Sequence, residues 1–329
     1  MPRKLIIHIG THKTGTTYLQ RVLSMNRAYL LSLGVDYPKS AGEAHHRCAQ
    51  ELKRGTHTSP GSFTRLLERI RNSDAECFIV SSEGFDNLSH ELIGQLKQTL
   101  TSADLEVLVV FTIRNQCDLI ESSLRGTKMY RRLVRDREAI LIKSMNHPSM
   151  RVFELFRNWS GLFGEKNVSI GIYEQQQDIV SDFFRLARLP HFNDIRLQRP
   201  ASRENSSMDV RFALLLQSIL KRSPQQNHSM LFEQVFPDLR KAADSMAGEF
   251  RTDRRSSFFS SSDREKIVRE FYDENRRFSQ NVIELPDVYF DPQRNLDFVN
   301  EVPAGYAVAL FTRLLTNAGE QSVSGLRAA

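Results

Sequence analysis

Between Ile7 and Leu23 the chain reads IHIGTHKTGTTYLQRVL: a strand-like run, a loop with glycines at 10 and 15, then a helix beginning near Thr16. Glycines let the backbone turn tightly enough for successive N–H groups to point inward. The helix start adds its positive dipole end, and Lys13 with the hydroxyls of Thr14, Thr16 and Thr17 adds further donors. The chemistry this spacing offers is anion binding, a cradle for a phosphate group. The nucleoside-triphosphate loop G-x-x-x-x-G-K-[ST] carries its lysine after the second glycine. Here Gly10 and Gly15 keep the glycine spacing, Thr16 stands in the lysine position, and Lys13 lies inside the loop. A Gly/Thr-rich turn without a ligand is the alternative.

Further groups could act beside such a cradle. Arg114 ends the apolar run LEVLVVFTI, and Ser122 follows eight residues later, about two turns into the next helix. An Arg fork and a hydroxyl so spaced can grip one phosphate together, although an Arg alone there also reads as a surface residue. Glu83, in FIVSSEGF, follows another apolar run. It is the candidate general base, with desolvation expected to raise its pKa toward neutrality; capping a helix near Leu88 or pairing with an Arg is the alternative. His12 sits inside the loop, placed to touch the transferred group or to stand exposed at the loop tip. Arg203, in RPASRENSS with Arg199 and Asn205, is a late candidate for a phosphate contact in a loop that also reads as plainly solvated. His45 and His46 are adjacent and point about 100° apart on a helix, and no carboxylate or Cys frames them as a zinc site, so no metal is expected.

The elements that must position these residues alternate between strand and helix, the pattern of a parallel β-sheet flanked by helices. Strands are predicted at Lys4–Ile9, Cys77–Ser82, Leu105–Ile113 and Asn167–Tyr173, the third nearly continuous in apolar residues, as burial of both faces requires. The helix after the loop carries Leu19, Val22, Leu23, Leu30 and Leu33 on a helical period and is expected to end at Gly34. Phe153, Phe156 and Trp159 form a helical stripe read as core, and Glu174 reads as a sheet-end structural residue. Beyond about Pro190 the chain reads mainly as helices, one starting near Ser262 with Glu265 in capping-box spacing. The expected organisation is one domain over 1–300, an α/β core over 1–190 and a mostly helical part over 191–300, with a tail over 301–329.

GTHKTGTTYL resembles the 5'-phosphosulfate loop of the sulfotransferases that use 3'-phosphoadenosine 5'-phosphosulfate, whose core reads Lys-[Ser/Thr]-Gly-Thr-[Ser/Thr]. Arg114-x7-Ser122 resembles the family's 3'-phosphate motif, with Gln116 where a Pro usually stands. The resemblance implies a P-loop nucleotide-hydrolase-like fold of sulfotransferase type and a metal-independent transfer of a sulfuryl group to an acceptor hydroxyl. Gly10, Lys13, Thr14, Gly15, Thr16, Thr17, Arg114, Ser122 and Arg203 would bind the donor; Lys13, Glu83 and His12 would act in catalysis. A sulfuryl group carries less charge than a γ-phosphoryl group, so one Lys near the bridging oxygen could serve without Mg²⁺. A Glu at position 83 resembles the base of the bacterial carbohydrate-type branch, which implies a small hydroxyl-bearing molecule, a glycolipid or a polysaccharide as acceptor. The competing readings are a Mg²⁺-dependent P-loop kinase or NTPase and a non-catalytic nucleotide-binding scaffold.

Composition narrows the classes. The net charge of +6 comes from 45 basic and 39 acidic residues, spread along the chain, so an anionic ligand is compatible and a nucleic-acid partner is not indicated. Cys48, Cys77 and Cys117 are odd in number and lack metal spacing, which points to reduced thiols and the cytoplasm. The apolar stretch at the N-terminus breaks at Gly10, too early for a signal peptide, and no membrane span is expected. The oligomeric state has no sequence signal.

Overall fold

Leu5, Ile6, Ile7 and Ile9 on the first strand are all buried, as are all six residues of CFIVSS and the last seven of LEVLVVFTI. Strands apolar on both faces need a layer of helices on each side, and the computed structural model has that arrangement. It describes residues 3–40, 42–101, 103, 105–124, 137–189, 196–201, 209–222, 236–246, 255–291, 296–298 and 305–314. In chain order the elements are β1 (Arg3–Ile9), α1 (Thr16–Met25), α2 (Arg27–Ser32), β2 (Val35–Asp36), α3 (His46–Lys53), α4 (Ser62–Asn72), β3 (Cys77–Ser82), α5 (His90–Thr101) and β4 (Leu105–Ile113). They continue with α6 (Gln116–Leu124), α7 (Arg137–Met145), α8 (Val152–Phe163), β5 (Val168–Ile172) and α9 (Ile179–Leu186). The chain groups into two compact units: 1–115 with 147–204 and 271–286, and 116–146 with 205–270 and 287–329.

The first unit holds a five-stranded, all-parallel sheet in the order β2-β3-β1-β4-β5. The connection after β1 runs to the β3 side and the connection after β3 crosses to β4. The carboxyl ends of β1 and β4 therefore flank the point where the winding reverses, the place where open parallel sheets bind ligands. One face packs Ile6, Ile79, Leu108 and Val110 against Leu19, Val22 and Leu23 of α1 and Val180, Phe183 and Phe184 of α9. On β4 and β5 lies α8, which also meets α5. Trp159 and Phe156 of α8 are buried, and Phe153 and Phe156 both meet Phe278 edge-on, so the aromatic stripe is core. Glu174 accepts a hydrogen bond from the Asn115 amide at 2.9 Å, tying the ends of β4 and β5 as a sheet-end residue should.

Two details depart from the periodicity. The helix expected to run on to Gly34 breaks at Asn26, whose side chain donates to Val22 O at 2.7 Å and exchanges hydrogen bonds with the Gln198 backbone at 2.9 Å each way. An Asn side chain competes with the helical ladder in this way. The second segment then turns Leu33 outward, and Gly34 follows with φ 80. A short strand, β2, was also not foreseen; two residues carry no usable period.

In the second unit, helices Val210–Arg222, Phe236–Ser245 and the start of Ser261–Asn281 accompany α6 and α7. Arg255–Ser257 and Leu296–Phe298 pair in parallel, a strand pair within a stretch read as helical. The helix predicted to start near Ser262 is capped two residues earlier, where Ser260 and Asp263 bond each other's amides and hydroxyl. Within 301–329, residues 305–314 are helical and bury Tyr306 and Leu310. No helix among the described residues is long and apolar enough to cross a membrane. All three cysteines are free and buried.

Candidate functional site

The loop 10–15 is shaped by two glycines serving different needs. At Gly10 a Cβ would come within 3.1 Å of the Glu83 backbone nitrogen and side chain and 3.2 Å of Thr16, so this glycine lets the loop approach the segment after β3. Gly15 has φ 81, and a Cβ there would meet Ile179 at 2.1 Å, so both backbone and space demand glycine. Lys13 also lies in the left-handed region, at φ 61, an uncommon conformation for a residue with a side chain. Thr11 donates its hydroxyl to Thr112 O, and Thr14 donates to Thr11 O at 2.7 Å, so the loop is fastened to β4 and to itself.

These bonds revise the inventory of donors. The Thr14 hydroxyl is buried and committed to the loop. The Thr16 hydroxyl is buried and donates to Glu83 Oε1 at 2.6 Å. Both hydroxyls are thus already engaged, Thr14 within the loop and Thr16 with the segment after β3. Thr17 is exposed on the first turn of α1. The helix itself starts after Gly15 with no side-chain cap, so its first amides have no intrahelical partner. Arg114 donates from Nη1 to Lys13 O at 2.6 Å, and its guanidinium lies 4.4 Å over the Tyr173 ring. Its Nε is buried and meets no acceptor among the described residues. Burial holds Lys13 below its ordinary pKa, with Arg114 adding to this and Glu83 opposing it.

Glu83 opens the short 3-10 turn Glu83–Phe85 beside this loop. Its Oε2 lies 3.4 Å from His12 Nδ1, and His12 Nε2 lies 3.6 Å from Asp86 Oδ2. The expectation of a raised Glu83 pKa is overturned. Burial does push it up, but pairing with His12 and Thr16, and the nearby charges of His12 and His46, bring it below the ordinary carboxylate value. His12 moves the other way: Glu83 raises its pKa against the opposing burial, and the charge of Asp86 raises it further. The carboxyl that burial drives upward, to about 6, is Asp86.

The remaining candidates separate. His45 is buried, pairs with Pro38 O at 3.0 Å and the Ser81 amide at 3.2 Å, and is pushed down to about 4 by burial, so it is scaffold. His46 lies 3.0 Å from Ser82 Oγ, on the site's side of α3. Arg199 is held by Asp178 in a bidentate pair at 2.6 and 2.8 Å. Ser122 sits on α6 in the second unit. Arg203 and Asn205 lie outside the described residues. Tyr173, Ile179 and Asp86 were missed. Asp86 had a sequence signal, a carboxyl three residues after Glu83; the other two had none. Among the described residues, no group of three or more His, Cys, Asp or Glu side chains could hold a metal ion.

No family model and no curated protein matches the chain. Among solved structures, the chain is similar to a sulfotransferase from Alicyclobacillus acidocaldarius, at 14% identity and a TM-score of 0.39, covering 88% of this chain and 99% of that one. A likeness that distant carries nothing about activity, which has to be argued from the site's own residues.

Proposed function

We propose that this chain moves a sulfuryl group from 3'-phosphoadenosine 5'-phosphosulfate to an acceptor hydroxyl, on a carbohydrate or glycolipid. The observation that carries the reading is a ready-made anion site with unmet donors. The N-terminus of α1 is uncapped, Lys13 projects from a left-handed loop, and Arg114 Nε is buried without an acceptor. The donor supplies an electrophilic sulfur and a bisphosphate leaving group. Lys13 and the α1 amides stabilise negative charge on the 5'-phosphate as its bond to sulfur breaks. Glu83, ionised throughout the neutral range, takes the acceptor's proton as the new sulfur–oxygen bond forms. Its low pKa makes it a modest base, and its place beside the loop is what suits it to the role. Arg114 grips the 3'-phosphate, the role that its resemblance to the Arg of the family's 3'-phosphate motif implies. The carbohydrate class follows from the Glu in the base position, and the three buried thiols suit the cytoplasm.

The test is thermal stabilisation by 3'-phosphoadenosine 5'-phosphate in EDTA, beside ATP with Mg²⁺. Ligand at about 100 times its Kd adds about 2.7 kcal/mol to folding. The expected result is stabilisation by the bisphosphate without metal, weakened in both Lys13→Ala and Arg114→Ala. Stabilisation by ATP with Mg²⁺ alone would replace the reading with a kinase or NTPase. No effect of either ligand on the folded protein would leave a scaffold.

A further inference from the structure

Asp86 is 4% exposed, and neither of its oxygens accepts a hydrogen bond from another residue among those described. A buried carboxyl without donors is costly, and an apolar side chain there would remove that cost. What Asp86 does have is a position. Across the His12 ring, Glu83 Oε2 faces Nδ1 at 3.4 Å and Asp86 Oδ2 faces Nε2 at 3.6 Å. A neutral imidazole protonates one nitrogen and presents a lone pair on the other; only imidazolium can offer N–H to both carboxylates.

We propose that Asp86 is a positioning residue of the transfer site, acting through His12: its buried carboxylate keeps the imidazole protonated and turned edge-on between itself and Glu83. The phosphate loop then carries two adjacent cations, Lys13 and His12, where charge grows on the leaving group, and Glu83 stays ionised to receive the acceptor proton. The inference deepens the proposed transfer reaction and rests on it for its rate readout, whereas its titration readout does not.

Among the described residues, charged and titratable groups act on the pair from the loop, from the His147 side and from α3. Lys13 disfavours the imidazolium from within the loop, and the His147 ring stands 6.1 Å from that of His12. On the α3 side, His46 acts on Glu83 and Lys53 acts on Asp86. His12, raised above its ordinary value, is charged at low pH and loses its charge as pH rises. Asp86 supports that charge only while ionised, above about pH 6. Below that pH the wild-type side chain is neutral and resembles Asn.

The experiment compares Asp86→Asn with the wild type in two readouts. In the ligand-free protein, NMR titration of the imidazole C–H signals, with His12→Gln to assign His12, should give a midpoint above 6.5, the ordinary value, that falls in Asp86→Asn. In the transfer assay, the variant should match the wild type at about pH 6 and turn over about tenfold more slowly at about pH 8, the ratio set by the loss of the charged form. A deficit equal at every pH would mark Asp86 as merely structural and overturn the proposal, as would no deficit at all. If Asp86→Asn fails to fold, the wild-type midpoint decides: at or below 6.5, the proposal falls. Failure of the bisphosphate to bind would remove the transfer reaction while the titration still judges Asp86.

Discussion

Each unit of this molecule contains a basic side chain set between two carboxylates, and the two clusters differ in how completely they are closed. In the second unit Arg264 is 2% exposed, lying 3.2 Å from Asp118 and 3.3 Å from Glu121. Glu121 also accepts from Ser257 Oγ at 2.7 Å and the Phe258 amide at 2.8 Å. In the first unit, the His12 side chain is 42% exposed, its two contacts are longer, and Asp86 accepts no hydrogen bond from another residue among those described. A closed cluster, with a buried guanidinium against two buried carboxylates, holds chain segments together. An open one with spare acceptors and a titrating ring at its centre is built to change its protonation and partners.

Three outcomes would break or sharpen that contrast. The largest effect is expected at the closed cluster, where Arg264→Ala leaves two buried carboxylates without their cation. Denaturant unfolding should show a loss of about 3–5 kcal/mol; a loss below about 1 kcal/mol would mean the cluster is not structural. Next, Glu83→Gln in the open cluster should slow transfer about a hundredfold, roughly 2.7 kcal/mol of barrier. Gln can still accept the Thr16 hydroxyl, so unfolding free energy should change by less than about 1 kcal/mol. Destabilisation as large as that of Arg264→Ala would erase the distinction.

The smallest effect concerns His8, four residues before His12 and its opposite in setting. It is buried, lies 2.7 Å from Ser81 Oγ, and is pushed down to about 4 by burial. Because the folded value lies below the unfolded 6.5, the unfolded chain binds more protons between them. Stability is therefore full above about pH 6.5 and is lost as pH falls toward 4. At about pH 5.5 the loss should be about 1 kcal/mol, and His8→Gln should flatten that part of the profile. A wild-type profile level from pH 7 to 5 would contradict the burial assigned to His8.

Much of the frame was readable along the chain. Strands β3 and β4 occupy the residues read for them, because burial on both faces leaves a nearly continuous apolar signature. Gly10 and Gly15 announced a tight loop, since a side chain at either would collide with its neighbours, whereas the left-handed backbone at Lys13 had no sequence signal. Boundaries set by side-chain hydrogen bonds were harder. Asn26 ends a helix by bonding Gln198, far along the chain, and the start at Ser260 depends on which of several nearby Ser and acidic residues meet. The Thr14 and Thr16 hydroxyls were legible as donors but not as donors already engaged.

The sequence by itself determined the succession of the four longer strands of the sheet, their burial and the presence of a tight glycine-bearing loop after β1, since these follow from periodicity and conformational preference within a few neighbouring residues. Only the tertiary structure decided which charges meet. His12 and Glu83 are separated by most of the path from β1 to β3, and parallel pairing of those strands brings their carboxyl ends side by side. That encounter lowers the pKa of Glu83, where burial alone would raise it, lifts that of His12, and leaves the buried titrating carboxyl at Asp86. A pKa depends on distances through space and on access to water, and neither is written in the spacing of residues along the chain.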